Sequence, residues 1–301
     1  MKRIGISLFS VVLVLAMALS AAAFSPDPDP ESPPSPQIVT AKACIVLDDN
    51  GTVLYEKNSS TRLPPASTVK LVTAMVALDQ LDPEKLVSVS RFAAQTRSVK
   101  PRLRANDELT IADLLHLALM KSINSAAVAL AEETAGSEAA FVALMNKKAE
   151  ELGACDTHFV TASGLPKGQQ YTTARDLAVI LKKALTYPLI KEILAKKEAF
   201  IFTTAGKELY LENSDNLLWS RSNMVGGKTG FTNSARHCFV GALETEKGII
   251  YTVVLGSSSR SRMWESTETL ADFGTNPDLV VAFQEPPVKK YRRHARKLKK
   301  I

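Results

Sequence analysis

The sequence predicts an α+β fold, with one mixed antiparallel sheet flanked by a helical lobe. Three observations carry that expectation: a hairpin signal opens the folded region, apolar residues at helical spacing fill its middle, and strand-like runs return towards its end. Residues 43–47 and 53–56 flank Asp49-Asn50-Gly51, and Asn-Gly accepts the positive φ of a tight turn. Residues 67–79 are apolar on nearly every side, which suits a helix buried at a domain centre and not one lying on a surface. Thr110 with Asp113 and Thr173 with Asp176 have the capping-box spacing, and apolar periodicity continues through residues 114–120, 126–131, 141–152 and 177–185. Gly153 closes one of these helices. Residues 199–203, 208–211, 237–243 and 249–256 read as strands, and a last helix-like segment ends near Gly274.

At 301 residues and 46% hydrophobic content the chain can bury a large core, and one domain over residues 38–276 accounts for the pattern. Ahead of it, Lys2-Arg3, an apolar run from Ile4 to Leu19 and Ala21-Ala22-Ala23 read as an export signal over residues 1–23, cleaved before Phe24. The alternative is an uncleaved anchor, for which the apolar run is short. Residues 24–37 carry six prolines among Asp, Glu and Ser, the composition of a stiff extended linker. The mature protein is therefore expected outside the cytoplasm, in a periplasmic or other extracytoplasmic space. Residues 277–301 form a basic tail. Removing the eight Lys and Arg of residues 289–301 and the two of Lys2-Arg3 from the net +6 leaves −4 on the body. A nucleic-acid-binding domain carries positive charge on its folded face, so nucleic acid is not expected as a partner. Tyr291, Ala295, Leu298 and Ile301 fall at helical spacing among the tail's basic residues, the pattern of a peripheral contact with an anionic membrane, although a solvated tail fits the same residues. Cys44, Cys155 and Cys238 are too few for a disulfide framework; buried thiols are expected, with a Cys44 to Cys238 bridge as the alternative.

Chemistry enters through three segments: Ser67-Thr68-Val69-Lys70, Ser122-Ile123-Asn124 and Lys228-Thr229-Gly230. A hydroxyl attacks a carbonyl poorly unless a neighbour takes its proton, and a serine three residues before a lysine on a helix shares its face. Ser67 is thus the candidate nucleophile and Lys70 the candidate base. An exposed lysine keeps its proton at neutral pH, so the site must lower the Lys70 pKa by burial and by a nearby cation, Lys228. The helix start at Ser67 favours negative charge in a tetrahedral intermediate. Ser122 can pass a proton to the leaving amine, and Asn124 can hold the substrate amide and orient Lys70. Lys228-Thr229-Gly230 is expected on a strand beside the nucleophile, with Lys228 and Thr229 binding a carboxylate and Gly230 admitting substrate to the backbone. A second triplet, Ser214-Asp215-Asn216, lies 14 residues before Lys228, against 106 for Ser122, and reads as a turn into that strand. His237 reads as a residue packed in the sheet. A G-x-S-x-G elbow, an H-E-x-x-H pair and a glycine-rich phosphate loop are all absent from the sequence, so no metal and no cofactor is expected.

The three segments resemble the S-x-x-K, S-x-N and K-T-G set of penicillin-binding proteins and serine β-lactamases. Pro64-Pro65-Ala66, Leu130-Ala131-Glu132, Phe141 with Met145-Asn146, Leu152-Gly153, Thr157 with Phe159, Gly164-Leu165 and residues 172–177 extend the likeness from Ala41 to Gly274 and narrow it to the D-alanyl-D-alanine carboxypeptidase family. The resemblance implies a β-lactamase/transpeptidase-like fold and an oxyanion hole from the amides of Ser67 and Phe231. It also implies an arginine for the terminal carboxylate; Arg262 is the choice, although the family spacing falls on Met263. The activity it implies is removal of the terminal D-alanine from peptidoglycan stem peptides through an acyl-serine, with β-lactams as inhibitors. A D,D-endopeptidase cutting the D-alanyl to diaminopimelate bridge is the runner-up, because Tyr187-Pro188-Leu189-Ile190 and Thr232-Asn233 resemble such relatives. A β-lactamase and a non-enzymatic wall-binding module are the remaining readings. The second, β-rich domain of many relatives has no counterpart in this pattern. The chain departs from the family at Ile123 and Ser125, where Gly and Asp are more usual, and at Arg236, where Gly is more usual.

Overall fold

The computed structural model describes residues 39–275; the expected export signal, proline-rich linker and basic tail lie outside the described residues. The opening hairpin forms as expected, β1 (Ala43–Leu47) pairing antiparallel with β2 (Val53–Lys57) around Gly51, whose φ of 87° is a left-handed value that glycine adopts without strain. A 3-10 turn (Ala66–Val69) then runs into α1 (Lys70–Leu78), buried at every position from Lys70 to Ala77. Short elements follow: β3 (Leu86–Ser88), α2 (Arg91–Gln95) and β4 (Glu108–Thr110). The helical lobe is built from α3 (Ile111–Met120), α4 (Asn124–Ala135), α5 (Glu138–Glu151), α6 (Ala174–Ala184) and α7 (Pro188–Ala195). Thr110 and Asp113 close a reciprocal capping box on α3, and Thr173 Oγ1 accepts the Asp176 amide at 3.0 Å on α6. The chain finishes with β5 (Glu198–Phe202), β6 (Glu208–Glu212), α8 (Leu217–Ser220), β7 (Met224–Thr232), β8 (Arg236–Thr245), β9 (Gly248–Ser257) and α9 (Arg260–Thr275).

The fold is α+β, as the sequence predicts. Five strands form the main sheet in the order β2-β1-β9-β8-β7, each neighbouring pair antiparallel. Two segments expected in that sheet, β5 and β6, pair only with each other. The reason is visible in their alternation: Ile201, Leu209 and Leu211 turn inwards to the helical core, while Phe200, Phe202 and Tyr210 face solvent. The same period of two splits the main sheet between two cores. Ala43, Ile45, Val240, Ala242 and Val253 pack with the helical lobe; Cys44, Val46, Phe239, Leu243 and Val254 pack with Met263, Leu270 and Phe273 of α9. Cys44 and Cys238 therefore lie in different cores with β9 between their strands, and all three cysteines are free, so the alternative of a bridge is not realised.

This arrangement positions the three motif segments. α1 packs against α3, α4, α5 and α6, placing Lys70 where water is excluded, and β7 at the sheet edge runs beside the 3-10 turn. Removing an ammonium from water costs several kcal/mol, so a lysine inside an otherwise apolar helix is retained at the expense of stability and has a chemical use.

Candidate active site

Ser67 is half-buried in the 3-10 turn, and Lys70, fully buried, follows on the same face with Nζ 2.8 Å from Ser67 Oγ. Two further acceptors surround that amine: Asn124 Oδ1 at 2.7 Å and the Ser163 carbonyl at 2.6 Å. Neither can donate a proton. The Asn124 amide is fixed the right way round because its Nδ2 donates to the Arg97 carbonyl at 2.7 Å. A neutral Lys70 therefore spends both N–H groups on Asn124 and Ser163 and turns its lone pair to the Ser67 hydroxyl, the geometry a general base needs. Its ammonium form is disfavoured in the same place: burial first, and then the charge of Lys228, hold the Lys70 pKa well below the usual lysine value.

The backbone around the nucleophile is tight. Ala66 has a φ of 51° and Ser122, in the turn between α3 and α4, a φ of 63°; left-handed values in non-glycine residues mark strain held by the surrounding packing. A side chain at Gly164 would meet the Ala66 carbonyl at 1.9 Å, and one at Gly230 would lie 3.1 Å from the Ser67 amide nitrogen. Gly230 thus leaves open the space over the amide expected in the oxyanion hole. Residues 161–164, which deliver the Ser163 carbonyl, are held by Thr73 Oγ1 donating to Ala162 O at 2.7 Å and by the Ala162 amide donating to Glu138 Oε1 at 2.9 Å.

On the opposite side Lys228 is also fully buried, and its Nζ donates to the Thr229 carbonyl at 3.0 Å. Burial pushes its pKa down to about 7, resisted by the carboxylate of Asp215. Asp215, equally buried, is pushed up to about 7 by burial, against the Leu217 amide hydrogen bond and the charge of Lys228. Its Oδ1 accepts the Leu217 amide at 2.9 Å, and its Oδ2 has no hydrogen-bond partner. Ser214 Oγ lies 2.6 Å from Thr229 Oγ1. The triplet read as a plain turn thus backs the Lys228 strand with a hydroxyl and a carboxylate.

Sequence reasoning missed Asp215 and Ser163. The Ser163 carbonyl has no side-chain signature, though the glycine after it, Gly164 with a φ of 81°, could have pointed to a close backbone approach. Phe231 is 51% exposed, and its ring lies 4.5 Å from that of His237, the cross-strand neighbour. Arg262 is an exposed side chain whose Nη1 meets Ser258 Oγ at 3.4 Å, while Met263 is buried in the core beneath α9. Two other arginines gather at this helix start: Arg236, with a φ of 61°, donates to Ser258 O, and Arg260 donates to Asn216 Oδ1. Among the described residues no group of three His, Cys, Asp or Glu is arranged to hold a metal. Several flanking matches prove structural: Asn146 pairs with both backbone polar groups of Phe159, and Thr157 donates to Asp176.

A buried amine on a serine hydroxyl, facing a second buried amine across the turn, defines a candidate serine acyl-transfer site on an α+β scaffold. The chain belongs to the peptidase S11 family, D-alanyl-D-alanine carboxypeptidase, whose model matches residues 30–259. It is 33% identical over 239 residues to the D-alanyl-D-alanine carboxypeptidase DacF of Bacillus subtilis, covering 77% of this chain and 61% of that one, so it spans less than two thirds of that relative's length. It is 34% identical over 281 residues to the D-alanyl-D-alanine endopeptidase of Escherichia coli, covering 89% of this chain and 90% of that one. The crystal structure of a D-alanyl-D-alanine carboxypeptidase from Mycobacterium tuberculosis superimposes with a TM-score of 0.74 at 35% identity, covering 78% of this chain and 90% of that one.

Proposed function

We propose that this protein is an exported serine D,D-carboxypeptidase that releases the terminal D-alanine of peptidoglycan stem peptides. The observation that carries the reading is the Lys70 amine, 2.8 Å from Ser67 Oγ, with its other contacts fixed as acceptors. Lys70 takes the Ser67 proton as Oγ attacks the penultimate D-alanyl carbonyl. The Ser67 and Phe231 amides receive the oxyanion, and Ser122 returns a proton to the departing D-alanine amine. Lys228 and Thr229 hold the terminal carboxylate, with an arginine from the start of α9, Arg262 by sequence, completing that contact. Water then hydrolyses the acyl-serine. A β-lactam enters by the same attack and stays as the acyl-enzyme. Incubation with diacetyl-lysyl-D-alanyl-D-alanine should release D-alanine, and fluorescent penicillin should label the protein; Ser67→Ala should abolish both, and retained labelling would refute the site.

Endopeptidase action on a cross-link is the second reading. It is favoured by the Escherichia coli endopeptidase matching nearly end to end and by a cavity of about 410 Å³ beyond the nucleophile, lined by Arg62, Ala66, Gly164, Lys167, Tyr171 and Thr232, with room for more than a terminal residue. Digestion of purified sacculi separates the two, since free D-alanine marks the first and loss of dimeric muropeptides the second. An export-signal pattern over residues 1–23 and a proline-rich linker over 24–37 support a reading in which the catalytic domain works outside the cytoplasm, and the basic residues of 277–301 support, as part of the same proposal, a peripheral contact with anionic lipid. Flotation of the full chain with vesicles containing anionic lipid, lost on deleting residues 289–301, tests the tail.

A further inference from the structure

Asn124 and Ser125 are consecutive residues at the start of α4, yet they look into different spaces. Asn124 reaches Lys70. Ser125 borders a separate cavity of about 260 Å³ enclosed by α2, residues 96–98 and residues 102–103. The Ser125 side chain is buried and its Oγ has no hydrogen-bond partner, a condition that costs free energy unless something enters the cavity to meet it. Two arginines, Arg97 and Arg102, both exposed to solvent, line the same cavity, and neither takes part in an ion pair among the described residues. The cavity opens on the N-terminus of a twelve-residue helix whose N-cap, Ile123, offers no side-chain cap and whose first turn holds no acidic residue. First-turn N–H groups lack intrahelical acceptors and carry the positive end of the helix dipole.

We propose that this cavity is an oxyanion-binding site, in which Arg97, Arg102, the Ser125 hydroxyl and the first turn of α4 receive a single carboxylate or phosphate group. Arg97 and Arg102 are cations and the Ser125 hydroxyl can donate, so an anion supplies the orphan hydroxyl with the acceptor it lacks; Gln95, Thr96 and Ser98 complete the polar lining, and Ser98 Oγ already accepts the Asn124 amide. The volume suits one such group with a few attached atoms. The site is one residue from catalysis: the Asn124 amide donates to Ser98 Oγ at 2.9 Å and Asn124 Nδ2 to Arg97 O, so an anion that clamps residues 97–98 also steadies the amide that orients Lys70. Two sources share this chemistry, free phosphate and a carboxylate of the stem peptide. Only the second rests on the function proposed above.

Calorimetric titration of the full chain with inorganic phosphate, and separately with N-acetyl-L-alanyl-γ-D-glutamate, tests the site without calling on activity. One-to-one saturable binding is expected for at least one probe, weakened at least tenfold by Arg102→Gln and by Arg97→Gln, and abolished by Ser125→Asp, which puts the chain's own carboxylate in the cavity. Peptide binding displaced competitively by phosphate assigns the ligand to the substrate; phosphate binding alone assigns it to a free ion. Arg102→Gln leaves the Ser67, Lys70 and Lys228 contacts intact, so its labelling by fluorescent penicillin reports that it is folded even where Ser125→Asp fails to fold. The proposal is overturned if wild type saturates with neither probe, or if Arg102→Gln and Arg97→Gln bind with the wild-type constant. Loss of D-alanine release in an otherwise anion-binding protein would instead count against the carboxypeptidase reading alone.

Discussion

The two walls of the cleft each bury a lysine completely, and they treat it in opposite ways. On the helical wall Lys70 meets a serine hydroxyl, an amide oxygen and a carbonyl, with no carboxylate among its hydrogen-bond partners. On the strand wall Lys228 meets one backbone carbonyl and feels the buried carboxylate of Asp215. Dipoles can satisfy an amine in either charge state, whereas a carboxylate favours the cation. The helical wall is therefore built to hold a neutral amine, whereas on the strand wall the Asp215 carboxylate resists the loss of the Lys228 proton that burial favours. Like charges that face each other cannot both be stabilised, so the charge on Lys228 helps drive the proton from Lys70.

The largest expected effect comes from destroying the contrast at its neutral end. Lys70→Met should slow acylation of Ser67 by roughly 10²–10⁴-fold, the range associated with loss of a general base, and Lys70→Arg should do no better because a guanidinium stays protonated. In wild type the second-order rate of labelling by fluorescent penicillin should rise with pH as Lys70 loses its proton and level off well below pH 10.5, the sign demanded by a lowered pKa. A Lys70→Met rate within threefold of wild type would end the assignment of the base.

How much of this contrast could be read in the chain alone depends on which atoms carry it. Ser67 and Lys70 were legible because three residues on a helix make one face, and Asn124 because an S-x-N turn opens the next buried helix. The capping pairs at Thr110 and Thr173 and the Asn50-Gly51 hairpin were legible for the same reason: each is a local interaction with a local signature. Ser163 was not, because a main-chain carbonyl is the same in every residue. The turn at Asp215 was legible, and its Oδ1 does accept the Leu217 amide, but its pull on Lys228 was not, since that comes from folding against β7 and not from its distance along the chain. β3 and β4, three residues each, are too short to show an alternation, and the separation of β5 and β6 from the main sheet depends on the helical core they cover.

At the charged end, Lys228→Met should act on binding first. Loss of a charge-assisted hydrogen bond to the substrate carboxylate corresponds to about 1.5–3 kcal/mol, or roughly a tenfold to hundredfold rise in KM for diacetyl-lysyl-D-alanyl-D-alanine. It should also move the acidic limb of the acylation profile to higher pH, because Lys70 no longer faces a neighbouring cation. A profile that stays in place while KM rises would mean that the two walls are not electrostatically linked.

Asp215→Asn sharpens the comparison without touching either amine. The carboxylate resists the fall in the Lys228 pKa, so its removal should let Lys228 lose its proton at lower pH and bring the alkaline limb of kcat/KM down. At pH 8 KM should rise by roughly threefold to tenfold, an amount matching a shift of one pKa unit or less. At pH 6 the difference should close, because Asp215, pushed up to about 7, is protonated there and an asparagine imitates the neutral acid. An effect of the same size at both pH values would reduce Asp215 to a packing role.

The smallest effect belongs to Ser214, whose hydroxyl sits 2.6 Å from Thr229 Oγ1. An ordinary hydrogen bond contributes about 0.5–1.5 kcal/mol net, so Ser214→Ala should raise KM by roughly twofold to tenfold through a freer Thr229 hydroxyl. The acidic limb of acylation should not move, because neither lysine bonds to these two hydroxyls; Lys228 meets Thr229 only at its backbone carbonyl. Thr229→Val removes the same contact from the other side, and if Ser214 acts only by orienting Thr229, the double variant should be no worse than Thr229→Val. Additive losses would show instead that Ser214 has a second partner in the bound complex, and would make the strand wall a two-point receptor for the carboxylate.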